Sequence, residues 1–146
     1  MQHVTSVDDF RRHFPLTFEH EVEFREIDLL HHVNNVRYGE WAEWMRSLYF
    51  EDVMRISFFE EQAVIIARHD MHYDAPVGYR DRVLVGGRVS RIGTKSFDFI
   101  TWVWSLTASR IVFRSTATLV AYDYAANRSI AVPAIWRERI GPIAEG

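Results

Sequence analysis

An α+β domain, with an antiparallel sheet of five to six strands wrapped around one long central helix, is the fold class this sequence predicts. Three observations carry it: a period-2 segment near the start, one amphipathic helix after it, and four strand-length segments joined by very short connections.

Phe18, His20, Val22 and Phe24 alternate with Glu19, Glu21 and Glu23, the pattern of a strand with one buried and one wet face. Tyr38, Trp41, Met45 and Leu48 then recur at spacings of three and four among Glu40, Glu43 and Arg46, which predicts a helix from Asn35 to Asp52. Strands are expected at Ala63–Tyr73, Arg82–Ile92, Lys95–Leu106 and Arg110–Asp123, and connections as short as Gly93-Thr94 require antiparallel neighbours. A turn at Ala125–Asn127 leads to Ile130–Val132, and Pro133 reads as the start of a short helical tail near Ile135–Ile140. Lys95–Leu106 carries Phe97, Phe99 and Val103 on one face and Ile100, Trp102 and Trp104 on the other. An apolar pattern on both faces calls for a second packing partner, and an oligomer is expected on that ground.

With 146 residues the chain suits one domain, residues 1–146 with a core of about 18–140. It has no cysteine, which excludes disulfides, thiolate nucleophiles and Cys-based metal sites and suits a reducing compartment. The first residues, MQHVTSVDDFRRHFPL, lack the apolar core of a signal peptide, and Ala63–Ala67 is too short to span a bilayer. A soluble cytoplasmic protein without a membrane partner is expected. Net charge is −3 and the 17 Lys and Arg are scattered, so no stripe exists to neutralise nucleic-acid phosphates.

The informative stretch is Arg25-Glu26-Ile27-Asp28-Leu29-Leu30-His31-His32-Val33-Asn34-Asn35, which ends where the helix begins. The first N–H groups of a helix lack intrahelical partners and carry the positive end of its dipole, so they can hold an oxyanion. A carboxylate such as Asp28 beside that end is the minimum kit for acyl transfer, supplying a nucleophile or activating water. On spacing alone, Asp28 capping a turn and Asn34 or Asn35 serving as N-cap is the favoured account.

The run Asp28-Leu29-Leu30-His31-His32-Val33-Asn34-Asn35 with Tyr38, Glu43 and Arg46 resembles the signature Asp-x-x-Gly-His-Val-Asn-Asn-x-x-Tyr of the 4-hydroxybenzoyl-CoA thioesterase-like hotdog proteins. Tyr73-Asp74-Ala75-Pro76 with Asp81, Ile92-Gly93-Thr94-Lys95-Ser96-Phe97, Val120–Asp123 and Val132-Pro133 extend the likeness over about Phe18 to Ile140. The resemblance implies a hotdog fold and hydrolysis of an acyl-CoA thioester in a homodimer or homotetramer, with no metal or organic cofactor. By the same resemblance, Asp28 is the catalytic carboxylate and Asn35 supplies the backbone N–H that polarises the thioester carbonyl. His32, Val33, Asn34 and Tyr38 shape the site, and Lys95, helped by Arg91 or Arg88, meets the coenzyme A phosphates. Two departures stand out: His31 replaces the family Gly, and Gly78–Asp81 is two residues longer than the usual Gly-Asp turn.

The other candidates are weaker. His31-His32 has no third metal ligand nearby in sequence, and His69 and His72, an odd number apart, point to opposite strand faces. Glu40 and Glu43 read as solvated helix residues, and Ser96 lacks a neighbouring base. Two other functions fit the same likeness: a hotdog protein that binds acyl-CoA without hydrolysing it, and a thioesterase acting on acyl carrier protein.

Overall fold

The computed structural model describes residues 3–57 and 60–143. Its first element lies where no helix was anticipated: α1 (Val7–His13) is capped by Ser6, whose Oγ accepts the Asp9 N–H at 3.1 Å. Asp8 and Asp9 occupy its first turn and Arg11, Arg12 and His13 its last, the charge order a helix dipole favours. Next come β1 (Thr17–Glu21), a 3-10 turn at Phe24–Glu26, α2 (Asn35–Tyr49) and a π-helical turn at Phe50–Met54. Then follow β2 (Gln62–Tyr73), β3 (Arg82–Ile92), β4 (Ser96–Ser105), β5 (Arg110–Asp123), β6 (Arg128–Ser129) and α3 (Ala134–Ile140), with Pro133 immediately before it as expected.

The strands form one antiparallel sheet in the order β1-β3-β4-β5-β2, with the two-residue β6 beside β5. The sheet curls around α2, whose Tyr38, Trp41, Met45 and Tyr49 are buried against Val85 and Val89 of β3, Phe97 and Phe99 of β4 and Phe113 of β5. This is the hotdog arrangement.

Two expectations change. The first strand stops at Glu21, and Phe24, expected on its buried face, is 79% exposed in the 3-10 turn. The chain leaves the sheet because the Val22 N–H turns to the Asp81 carbonyl and the Glu23 N–H is taken by the Glu26 side chain. The second concerns the two-faced strand. Ile100 and Trp104 are covered by Phe10 and Phe14 of the α1 segment, so this apolar face is closed within the chain itself.

The helices press close on the sheet at two glycines of β3. A Cβ on Gly86 would lie 2.6 Å from Phe14 Cβ, and one on Gly87 would lie 2.5 Å from Met45 Cγ and 2.7 Å from Phe99. Glycine is required at both positions because α1 approaches one face and α2 the other. Gly87→Ala is therefore expected to overpack the core and to cost about 1–3 kcal/mol of stability, read as a lower midpoint in chemical denaturation; an unchanged midpoint would show that α2 is free to shift.

Candidate active site

The segment from Glu26 to Asn35 folds into a short hairpin tied at its base. Ile27 and Val33 form an isolated antiparallel bridge, and the Asp28 N–H donates to the His32 carbonyl at 3.1 Å. The His31 N–H returns to the Asp28 carbonyl at 3.1 Å, so Leu29, Leu30 and His31 make a three-residue loop. Such loops end in a left-handed residue, usually Gly. His31 takes that position at φ 66°, keeping the backbone path that the resemblance associates with Gly, and its side chain is exposed. The longer Gly78–Asp81 turn is accommodated similarly: the Gly78 N–H donates to Asp81 Oδ2 at 2.8 Å, and the left-handed residue is Arg80.

Within this loop the Asp28 carboxylate is half-buried, and its Oδ1 accepts the Leu30 N–H at 2.8 Å. The capping account of the segment is therefore observed. Asp28 braces its own turn, and Asn34 is the N-cap, accepting the Val36 N–H on Oδ1 at 3.0 Å. Asn35 is the first residue of α2, so its N–H is one of the donors that the helix cannot satisfy from within. Asp28, His32, Val33, Asn35 and Tyr38 share one cleft of about 430 Å³, closed opposite by Tyr73, Asp74, Ala75 and Pro76. A larger depression of about 480 Å³ beside Trp102, Trp104 and Arg110 holds no carboxylate near a long helix's N-terminus.

Tyr73 and Asp74 belong to the family-like turn and are not among the expected site residues. Tyr73 Oη donates to the Asn35 carbonyl at 3.3 Å, pinning β2 to the helix start. Asp74 cannot serve as a second base, because Arg114 holds both its oxygens, at 2.8 and 2.9 Å, and that pairing lowers its pKa. Burial, with Tyr73 adding to it, pushes the Tyr38 hydroxyl up to about 12, so it stays protonated at neutral pH. Tyr38 stacks on Phe113 with ring centroids 5.1 Å apart and forms the cleft's rigid floor.

Beneath the loop sits a group that spacing did not reveal. The buried Glu26 carboxylate accepts the Trp41 Nε1–H at 2.8 Å and the Glu23 N–H at 2.8 Å, with His20 Nε2 2.6 Å away. Its backbone carbonyl accepts the Asn34 N–H at 2.8 Å. Burial alone would raise the carboxyl pKa, but these donors and the charge on His20 outweigh it and hold Glu26 below its ordinary value of 4.5.

The basic candidates lie elsewhere in the chain. The Asp28 loop adjoins the Arg82 end of β3, where Val22 meets Asp81 and Val33 meets Val77, whereas Lys95 follows the other end, roughly 33 Å away along an 11-residue strand. Lys95 is exposed in the β3–β4 turn. Arg91 is held by Asp98, at 2.8 Å from Nε. Arg88 is buried beside α1 and lines a different cavity. Within one chain, therefore, none of the three shares the Asp28 cleft. Topology explains this: residues far apart in sequence can be neighbours, but the two ends of one strand cannot. Among the described residues no three His, Asp or Glu side chains gather in a way that could hold a metal ion.

This geometry makes two outcomes measurable. Because the folded Glu26 pKa is depressed, its contribution is full above the unfolded value and is lost as pH falls through the folded one. Wild-type stability should decline below about pH 4.5 more steeply than that of Glu26→Gln, as read from urea midpoints against pH; parallel curves would remove Glu26 from the acid limb. At the loop, His31→Gly should leave turnover within a few-fold of wild type, while His31→Val should lower stability by about 1–2 kcal/mol, the cost of a left-handed backbone for a residue with no local compensation. Equal midpoints for the Val and Gly variants would show that the turn relaxes.

Comparison with known proteins bears on the fold and the family. Residues 22–140 match the model of the thioesterase-like superfamily. No curated protein matches the chain. Among solved structures, a thioesterase from Thermus thermophilus complexed with coenzyme A and Zn superposes with a TM-score of 0.78 at 29% identity, covering 87% of this chain and 98% of that one. A 1,4-dihydroxy-2-naphthoyl-CoA thioesterase from Synechocystis gives 0.74 at 15% identity, covering 85% and 93%, and a thioesterase-superfamily protein from Jannaschia gives 0.75 at 23%, covering 85% and 79%. The last two show the fold alone. With a carboxylate beside a helix N-terminus inside a hotdog sheet, and a family model covering residues 22–140, the chain belongs to the thioesterase-like superfamily.

Proposed function

We propose that this chain hydrolyses an acyl-CoA thioester to the free acid and coenzyme A. The observation that carries the reading is the meeting, in one cleft, of the Asp28 carboxylate and the N-terminal residue of α2. A thioester carbonyl seated there would direct its oxygen to the Asn35 N–H while Asp28 attacks the carbonyl carbon or takes a proton from water. By either route water adds to the acyl carbon, the C–S bond breaks and the thiol leaves with a proton. His32, Val33 and Tyr38 line the cleft, and Asn34, outside it, holds the helix end in place as its cap. The coenzyme A bound in the Thermus thermophilus structure supports this ester class. A cysteine-free chain suits the reducing cytoplasm, and no helix among the described residues is long and apolar enough to cross a membrane.

The reading includes a homodimer as the minimum assembly, either alone or paired into a tetramer. β2 is the edge of the sheet, 12 residues long, with Ile65 and Ile66 exposed at 38% and 46%. An uncovered edge of this kind invites a second strand. Antiparallel pairing of two β2 strands would set the Gln62 end of one against the Tyr73 end of the other. Lys95, whose carbonyl accepts the Ala121 N–H near the Gln62 end, would then approach the Asp28 cleft of the opposite subunit. This accounts for a phosphate-binding role that a single chain cannot provide, and Arg91 lies on the same end.

Short, medium, long and aromatic acyl-CoAs, assayed by thiol release, test the reading. Asp28→Asn is expected to remain folded and lose at least ~100-fold in kcat. Lys95→Ala is expected to raise KM more than it lowers kcat, with high salt reproducing part of the effect. A folded Asp28→Asn protein with wild-type kcat would overturn the mechanism, and coenzyme A binding without turnover by the wild type would favour a binding protein. An active monomer in sedimentation would overturn the cross-subunit phosphate site.

A further inference from the structure

A second cavity, of about 260 Å³, lies at the far end of α2. It reaches Tyr49, the last residue of the helix, whereas the Asp28 cleft reaches Asn35, the first, and a helix of that length separates the two by roughly 20 Å. The cavity opens where β1 begins and the edge of β3 loses its partner: the last link is the Gly87 N–H to the Leu16 carbonyl, at 3.4 Å.

Its distinguishing feature is Arg88. The residue is 8% exposed, its Nε is buried with no hydrogen-bond partner, and its remaining contacts are long: Nη1 to the Val89 carbonyl at 3.4 Å and Nη2 to His13 Nε2 at 3.3 Å. Phe14 offers its ring face at 6.0 Å from Cζ, the outer limit of a useful cation–π contact. Among the described residues no carboxylate reaches the guanidinium. Arg11, Arg80, Arg91 and Arg114 pair with carboxylates at the surface, and the buried Arg46 feels the charge of Glu43, whereas among the described residues Arg88 has no carboxylate beside it and only the Tyr49 hydroxyl favours its charge. A guanidinium removed from water without a counter-ion is costly. Burial lowers the pKa of both Arg88 and His13, and Arg88 lowers that of His13 further, so the imidazole adjoining Arg88 favours its neutral form.

We propose that this cavity is a binding site for a small organic monocarboxylate with an apolar body, its carboxylate paired with Arg88. A planar carboxylate matches the guanidinium fork. With Arg12 at the rim already paired with Asp9, one guanidinium beside a neutral imidazole balances a single negative charge, whereas a phosphate dianion would leave charge uncompensated. The body of the ligand would lie among Leu16, Val53, Val89, Ile140 and Ile143, with Arg12 at the rim. The site is independent of the thioester chemistry and shares no residue with the Asp28 cleft.

Calorimetric titration of the full chain with hexanoate tests the proposal without any turnover measurement. Saturable one-site binding is expected, weakened at least tenfold in Arg88→Met and unchanged within twofold in Arg91→Met. Thermal unfolding gives a second readout. Hexanoate should raise the Tm of the wild type but not of Arg88→Met, which without ligand should unfold no lower than wild type because it replaces an unpaired buried charge with an apolar chain. If that variant does not fold, Val53→Trp, which fills the cavity and leaves Arg88 in place, should abolish binding. No saturable binding by the wild type, equal binding by Arg88→Met, or equal binding of 1-hexanol or inorganic phosphate would overturn the proposal. A ligand seated in the Asp28 cleft would persist in Arg88→Met and counts against it, while leaving the hydrolase reading untouched.

Discussion

One buried carboxylate fixes how the parts of this fold meet. Glu26 draws donors from β1 through His20, from α2 through Trp41 and from its own turn through the Glu23 N–H, and its carbonyl receives Asn34 at the helix start. An ionised group with three donors in a low-dielectric pocket tolerates little movement, because any lost donor leaves charge exposed to an apolar surrounding. The strand, the helix and the loop therefore share one geometry. The position of Asp28, two residues downstream, is inherited from it.

The site that results is assembled from backbone more than from side chains. The hairpin closed by Asp28 and His32, the cap at Asn34 and the start of α2 all supply or orient N–H groups, and such groups need no reorganisation when charge develops on a bound carbonyl. Tyr73 reaches the same point from β2, so the helix start is braced from the sheet edge as well. Asp74, though it lines the cleft, is neutralised by Arg114 and leaves Asp28 as the one carboxylate there without an ion pair among the described residues.

How far the sequence could be read depended on the range over which each feature is encoded. The helix from Asn35 and the long strands were legible because their periodicities persist for ten residues or more, and the loop was legible because its residues are contiguous. The seven residues of α1 are too few for a period to stand out, although Ser6 before Asp8 and Asp9, then Arg11 and Arg12, is the charge order of a capped helix. Phe24 continued the alternation of β1 in sequence but not in space, since hydrogen bonds to Asp81 and Glu26 take the chain out of the sheet. The role of Glu26 depends on contacts with residues 6 and 15 positions away in different elements, which no local pattern expresses. Arg88, Arg91 and Lys95 appear as one basic cluster in sequence, yet strand direction and pairing send them to three environments: a buried cavity, an ion pair with Asp98 and an exposed turn.

The docking of α1 has a bearing on the order in which the molecule assembles. A seven-residue helix lies far below the length at which helices persist alone in water, and its apolar partners Leu84, Ile100 and Trp104 belong to strands that must first be paired. The segment gains its partners only once β3 and β4 have formed their ladder, which places its docking late in folding. Until then Trp104 and Ile100 face solvent on a sheet whose β2 edge is also open. Before α1 docks, two adhesive surfaces are open at once, and α1, although synthesised before the strands it covers, closes one of them.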